Sequence, residues 1–337
     1  MDSLTQIVLG ASVTVAVMQR RTAVWKAAVW GGIAGTLPDL DVFLSHGDPI
    51  LNMVLHRAES HALFWLTLFS IPFAWLVARI HREQAQQGWW WLALWLALVT
   101  HPLLDLFTVY GTQLGLPFTD YPFALNSVFI IDPAVTLPWL IGLIIVLMRR
   151  GDPKGQTANL VGLSVGVAVL FIGLGLQTYV ERHALKSLAQ QGVKPDRILV
   201  TPAPLSMLLW RVVAMDEKHY YEGFYGLRDQ SEPMAFEEFN RGAEYESAIA
   251  QIDGAQRIRR FSHGFYKLHE TQQGRLVITD LRMGLEPNYN FSFAVAERGS
   301  PFQALPTPQA VGRQGDISAM FTWLKQRIRG ELIPPPR

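Results

Sequence analysis

The sequence has no cysteine among its 337 residues. Disulfides, thiolate metal ligands and a cysteine nucleophile are therefore excluded, while either redox compartment is permitted. Charge is scarce as well. Asp, Glu, Lys and Arg make up 17% of the chain, against about 25% in an ordinary soluble protein. A formal net charge of +1 supplies none of the basic surface that nucleic acid requires, so no nucleic acid is expected as a partner. The start also lacks the basic n-region and small-residue cleavage site of a secretory signal, with Asp2 in its place.

What fills the chain instead is apolar: half of the residues are hydrophobic, and nine of the eleven tryptophans precede residue 140. Six apolar segments run from Leu4 to Met18, Val24 to Leu37, Ala62 to Ile80, Trp89 to Tyr110, Pro133 to Met148 and Asn159 to Val180. A transmembrane helix needs roughly 17–25 residues. The third and fourth segments have that length, whereas the first two are short enough to form a re-entrant pair. Basic residues fall at Arg20, Arg21 and Lys26, at Arg79 and Arg82, and at Arg149, Arg150 and Lys154. With alternating spans these loops share one side, the cytoplasmic one by the positive-inside rule. After about residue 180 the composition changes. Short alternating runs such as Arg197–Thr201, Leu208–Ala214, Tyr220–Gly226, Gly264–His269, Arg275–Asp280 and Phe291–Ala296 read as strands, and Ile317–Arg329 as an amphipathic helix. The expected fold is an α-helical membrane bundle of about six apolar segments over 1–182. A small extracytoplasmic α+β domain of antiparallel strands follows over 183–337.

The side opposite the basic loops carries the chemistry. Residues 37–61 hold Asp39, Asp41, His46, Asp48, His56, Arg57, Glu59 and His61 between two apolar segments. A lone aspartate after Pro38 reads as a helix cap; two aspartates followed by two histidines read as ligands for zinc or a similar divalent ion. His56 and His61 are five residues apart, about 140° round a regular helix, so one of them is expected in a turn. His46 and Asp48 sit in an S-H-G-D-P stretch and read as loop. In T-H-P-L-L-D, His101 and Asp105 are four apart and share one helix face. Ionisable groups inside an apolar segment are costly and usually serve a cavity or a partner.

M-D-S-L-T-Q, G-T-L-P-D-L-D, H-R-A-E-S-H and T-H-P-L-L-D, in this order, resemble the membrane-bound metal-dependent hydrolase family that includes the YdjM proteins; G-T-Q-L-G-L-P-F and N-S-V-F-I-I-D-P fit the same pattern. The likeness covers about residues 1–150. It implies a helical membrane protein with a divalent-metal hydrolase site, distantly similar to zinc-dependent phospholipase C, where H-x-x-x-D on a helix supplies ligands. His101 and Asp105 carry over as ligands, with Asp39, Asp41, His56 and His61 as the other candidates. Two departures stand out: Gln6 occupies a position where many members have His, and Ala58–Glu59 replace the usual G-x of H-R-G-x-[ST]-H.

The expected function is metal-assisted hydrolysis of an ester or phosphoester at the outer face of the cytoplasmic (inner) membrane, with zinc as the ion. Membrane lipid or a lipid-linked molecule is the expected substrate. Glu59 or Asp39 would accept a proton, and Arg57 would steady anionic charge. The competing reading is a non-enzymatic transporter or envelope scaffold with buried Asp and His groups. Ligands gathered at one membrane face favour the enzyme; acids and histidines spread through the depth favour transport.

Overall fold

The structure, a computed structural model, describes residues 1–229, 233–312 and 316–336. All six apolar segments fold as helices: α1 (Ser3–Met18), α2 (Val24–Thr36), then, after the short α3 (Pro49–Leu55), α4 (Leu63–Ile80), α5 (Gln87–Asp105), α6 (Pro133–Met148) and α7 (Pro153–Gln190). Their starts follow from local chemistry. Asp2 caps α1 by accepting from the Thr5 amide, and Asp132 caps α6 from the Ala134 amide ahead of Pro133.

The expectation of six spans needs correction. Among the described residues, only α4 and α7 are long and apolar enough to cross a membrane. Helices α1, α2 and α6 have 16, 13 and 16 residues, short of the roughly 20 a bilayer core needs. Helix α5 has 19 residues but includes Gln87, His101 and Asp105. Helix α7 runs well past the apolar segment that ended at Val180, because Glu181–Gln190 is polar yet free of Gly and Pro; Gly192 then takes a positive φ just beyond its end.

The chain forms two compact units. The first comprises 1–44, 55–174 and 204–206; the second comprises 45–54, 175–203 and 207–337. In the first unit, α1 and α2 pack at backbone contact. A Cβ on Gly10 would collide with the Gly31 carbonyl, and one on Gly35 with the Gln6 carbonyl. Small residues of this kind let apolar helices approach closely. Here the approach brings Gly35 and Gln6 to the same end of the unit.

The second unit is built from antiparallel strands, as expected. One sheet has the order β1 (Arg197–Ala203), β2 (Ser206–Met215), β3 (His219–Gly226), β4 (Phe236–Asn240). Next come the short helices α8 (Glu246–Ile249) and α9 (Asp253–Phe261), then β5 (Tyr266–Glu270) and β6 (Arg275–Asp280). The hairpin β7 (Gly284–Leu285) and β8 (Asn288–Tyr289) precedes β9 (Ser292–Glu297) and β10 (Gln303–Ala310), and α10 (Ile317–Ile328) closes the unit. The second sheet runs β10-β9-β6-β5. Strand β10 was not evident in the sequence, since Pro306 and Pro308 interrupt it. Proline is tolerated there because β10 is an exposed edge.

Candidate metal centre

Pro38 cannot continue the hydrogen bonding of α2 and instead opens a 3-10 turn, Pro38–Phe43. Such a turn has three residues per revolution, so Asp39 and Asp41, two apart, point in different directions. Asp39 faces His61 and His101, with its Oδ1 3.4 Å from the Nε2 of each. Asp41 faces the other way. Its Oδ1 takes His56 Nδ1 at 2.8 Å, and its Oδ2 accepts from the Arg57 amide at 2.9 Å and the Ser60 hydroxyl at 2.7 Å. Those contacts bring the Asp41 carboxyl down to about 2, although burial acts in the opposite direction. Burial likewise opposes the shift of Asp39, yet His101 and His61 hold it well below the usual carboxylate range.

Tautomers follow from the partners. The Ser60 proton goes to Asp41, so Ser60 Oγ must accept from His61 Nδ1–H, 2.8 Å away. His101 Nδ1 donates to the Gly35 carbonyl at 2.7 Å. As neutral imidazoles, both rings therefore keep a bare Nε2, and these two atoms face each other at 3.1 Å. Asp105 Oδ2 joins them, 3.4 Å from His61 Nε2 and 3.6 Å from His101 Nε2, and it has no hydrogen-bond donor among the described residues. Lone pairs this close repel unless a cation lies between them. For bonds of about 2.0–2.1 Å, the values for zinc with N and O ligands, tetrahedral edges come to about 3.3–3.4 Å. One donor atom from each of Asp39, His61, His101 and Asp105 fits within 4.8 Å of the others, and the residues fit a divalent ion on that ground. His61 shows the same demand for positive charge: burial lowers its pKa, but the Asp105 and Asp39 carboxylates beside its Nε2 outweigh this and raise it.

Further groups line the cluster. Gln6, from α1, donates its amide to the His101 carbonyl and to Asp105 Oδ1, both at 3.2 Å, while its own Oε1 is buried without a hydrogen-bond donor among the described residues. The Met1 amino group also lies against Asp105 Oδ1. Arg57 is buried, with Nε 3.4 Å from Asp105 Oδ2, Nη1 donating to Thr108 Oγ1 at 3.2 Å and the guanidinium over the Tyr110 ring. Its positive φ of 66° bends the chain so that the Arg57 amide meets Asp41.

Of the six residues expected as ligands, four converge. Asp41 and His56 form a hydrogen-bonded pair beside them, with the His56 and His61 ring centroids 6.1 Å apart. Glu59 is exposed in the 3-10 turn Glu59–His61. Asp48 caps α3 through the Ile50 and Leu51 amides, and His46 is exposed. Ser60 and the Gly35 carbonyl, which set the two tautomers, were not singled out in the sequence, although Ser60 fills the [ST] place of H-R-G-x-[ST]-H and Gly35 opens G-T-L-P-D-L-D.

The chain is 25% identical over 235 residues to the uncharacterised protein YfhP of Bacillus subtilis (strain 168), covering 66% of this chain and 68% of that one. No solved structure matches it, and none therefore bears on the likeness to zinc-dependent phospholipase C. All four converging residues lie within residues 1–184, more than half of the chain, which match the profile of the YdjM inner membrane proteins, and the chain belongs to that family.

Proposed function

We propose that this chain is a metal-dependent hydrolase of an ester or phosphoester, working at the outer surface of the cytoplasmic membrane on a lipid-linked substrate, with zinc as its ion. The observation that carries the reading is the convergence of the His61 and His101 Nε2 atoms, 3.1 Å apart, with the carboxylates of Asp39 and Asp105. Asp39, His61, His101 and Asp105 would hold the ion, which when bound supplies Lewis-acid activation of water and of the substrate oxygen. Arg57 offsets the charge of Asp105 and steadies anionic substrate. His56, fixed by Asp41 through Nδ1, presents Nε2 as a proton acceptor, and the exposed Glu59 passes protons to solvent.

Two features favour a membrane-surface enzyme over a transport pathway. The ligand-type residues gather at one end of the helices, with His61 just before α4 and Asp105 at the end of α5. The first two basic loops meet each other instead, through Lys26 and Glu83 at 2.7 Å. In addition, apolar side chains stand out from the loops of the site: Phe43 is 82% exposed and Phe118 81%. Apolar groups this open suit an acyl layer, not water. In the proposed topology α4 and α7 are the long spans, α5 packs antiparallel to α4 and returns the chain to the face of His61, α6 leads back to the basic loop before α7, and the C-terminal unit is extracytoplasmic. The chain has no cysteine of its own, so single cysteines at Asp120 and Gln272 should react with an impermeant reagent in whole cells and one at Gln84 should not; the reverse pattern would place the site in the cytoplasm.

The activity itself is tested on protein in nanodiscs, with bis-p-nitrophenyl phosphate, p-nitrophenyl acetate and phosphatidylglycerol as probes. Hydrolysis of one of them that stops with chelator and returns with zinc is the expected result. Wild-type turnover in chelator, or none of any probe in zinc-loaded protein, would contradict the proposal.

A further inference from the structure

The second unit contains a cavity of about 900 Å3 whose floor departs from the usual sheet face. Lys267 pairs with Thr279 across β5 and β6, and Thr279 with Ser292 across β6 and β9. Residues paired in this way lie on one face of a sheet, so a polar row crosses three strands. A face that packs a core is apolar, and a face open to water is not walled. This one is walled by the β7–β8 hairpin, through Glu286, Asn288 and Tyr289, and by Ala319 and Met320 of α10.

The charged side chains at the cavity already have partners. Lys267 Nζ donates to Glu286 Oε2 at 2.6 Å, and the Tyr220 hydroxyl donates to the same oxygen at 2.5 Å. Asp316 is occupied in capping α10, accepting from the Ser318 and Ala319 amides. Among the described residues, the side chains left for a ligand are uncharged. The Asn288 side chain is nearly buried and has no hydrogen-bond partner among the described residues. Thr279 donates to Ser292 Oγ at 2.9 Å, which leaves the Ser292 proton for the cavity. Partial burial and the Lys267 ammonium lower the pKa of His269, so its ring offers one donor and one acceptor at neutral pH. Pro287, Val311 and Met320 add apolar surface between these groups.

We propose that this cavity is a ligand site, separate from the metal centre, for an uncharged hydroxyl-rich molecule of the saccharide class. Hydroxyls that both donate and accept match Asn288, Ser292 and His269, and the C–H faces of a sugar ring match the apolar wall. The volume lies in the range of about 300–1,000 Å3 usual for small-molecule sites, with room for a disaccharide. A free saccharide and the headgroup of a glycolipid share this chemistry.

The test uses the full chain in phosphatidylglycerol nanodiscs, titrated calorimetrically with maltose and with N,N′-diacetylchitobiose. One of them should bind saturably. Asn288→Ala and Ser292→Ala should each weaken it about tenfold, the worth of one hydrogen bond, with an unchanged thermal midpoint. Loss of that binding when diglucosyldiacylglycerol is added to the nanodiscs assigns the site to a glycolipid headgroup; its persistence assigns the site to free saccharide. The proposal is overturned if neither disaccharide binds, if Asn288→Ala/Ser292→Ala binds like wild type, or if inorganic phosphate binds more tightly than both sugars.

Discussion

The two units bury charge in opposite ways. In the C-terminal unit each buried cation meets a carboxylate. Arg211 holds Glu222 at 2.6 Å; Arg282 and Arg327 hold Asp280 and Asp229 through paired bonds, the shortest 2.7 Å in each. At the end of the helical unit, by contrast, acceptors crowd acceptors. Two imidazoles and two carboxylates converge; Arg57 and the Met1 amino group reach Asp105 alone, and its Oδ2 still lacks a hydrogen-bond donor among the described residues. A buried pair is complete within the chain, and its cost is already balanced. A buried surplus of acceptors is complete only with something from outside. The first pattern holds a fold together; the second forms a binding site.

If that difference is real, the units should fail differently. The largest effect is expected at the ligands. His101→Ala should reduce zinc affinity by more than the roughly 10–100-fold that loss of an outer partner costs, as measured by competition with a chromophoric chelator. The metal-free protein should lose a smaller amount of stability, about 1–3 kcal/mol, because the Gly35 carbonyl is left without its donor. The opposite holds for Glu222→Ala, which should leave zinc binding intact but destabilise the C-terminal unit by about 3–5 kcal/mol, since Arg211 is left buried and unpaired. Chemical denaturation followed by the loss of strand signal in far-ultraviolet circular dichroism would report it. A Glu222→Ala protein as stable as wild type would erase the contrast between the two units.

The tautomer argument can be sharpened at Ser60. Ser60→Ala touches no ligand atom of the cluster but frees His61 Nδ1 from the hydroxyl that fixes it. Zinc affinity should fall about 10–100-fold, and Ser60→Thr should restore most of it. The smallest effect is expected for Asp48→Ala. Loss of its bonds to the Ile50 and Leu51 amides should cost about 1 kcal/mol of stability, with unchanged zinc affinity. A change in affinity there would enlarge the ligand set beyond the four.

How much of this was legible before the fold? His101 and Asp105 were, because a four-residue spacing in an apolar helix leaves ionisable groups one plausible destination. The strands with alternating burial, such as Arg275–Asp280, were legible by their period. The separation of Asp39 from Asp41 was not. It depends on Pro38 opening a 3-10 turn, and nothing in P-D-L-D distinguishes that turn from the start of an α-helix. The partition of His56 and His61 was half legible: their spacing forbids a shared helix face, but Asp41 decides which of them leaves the cluster. Span number was only partly legible: the short length of the first two segments was visible, but α1, α2 and α6 are apolar and too short to be told from tilted spans by composition.

The central claim is that the facing Nε2 atoms of His61 and His101 require a cation. Metal content of the purified chain after zinc loading and desalting tests this most directly, with the His61→Ala/His101→Ala protein measured alongside. About one tightly held zinc per wild-type chain, and none in the double variant, is the predicted result. A wild type that retains neither zinc nor manganese nor nickel, or a double variant that retains as much as wild type, would contradict it.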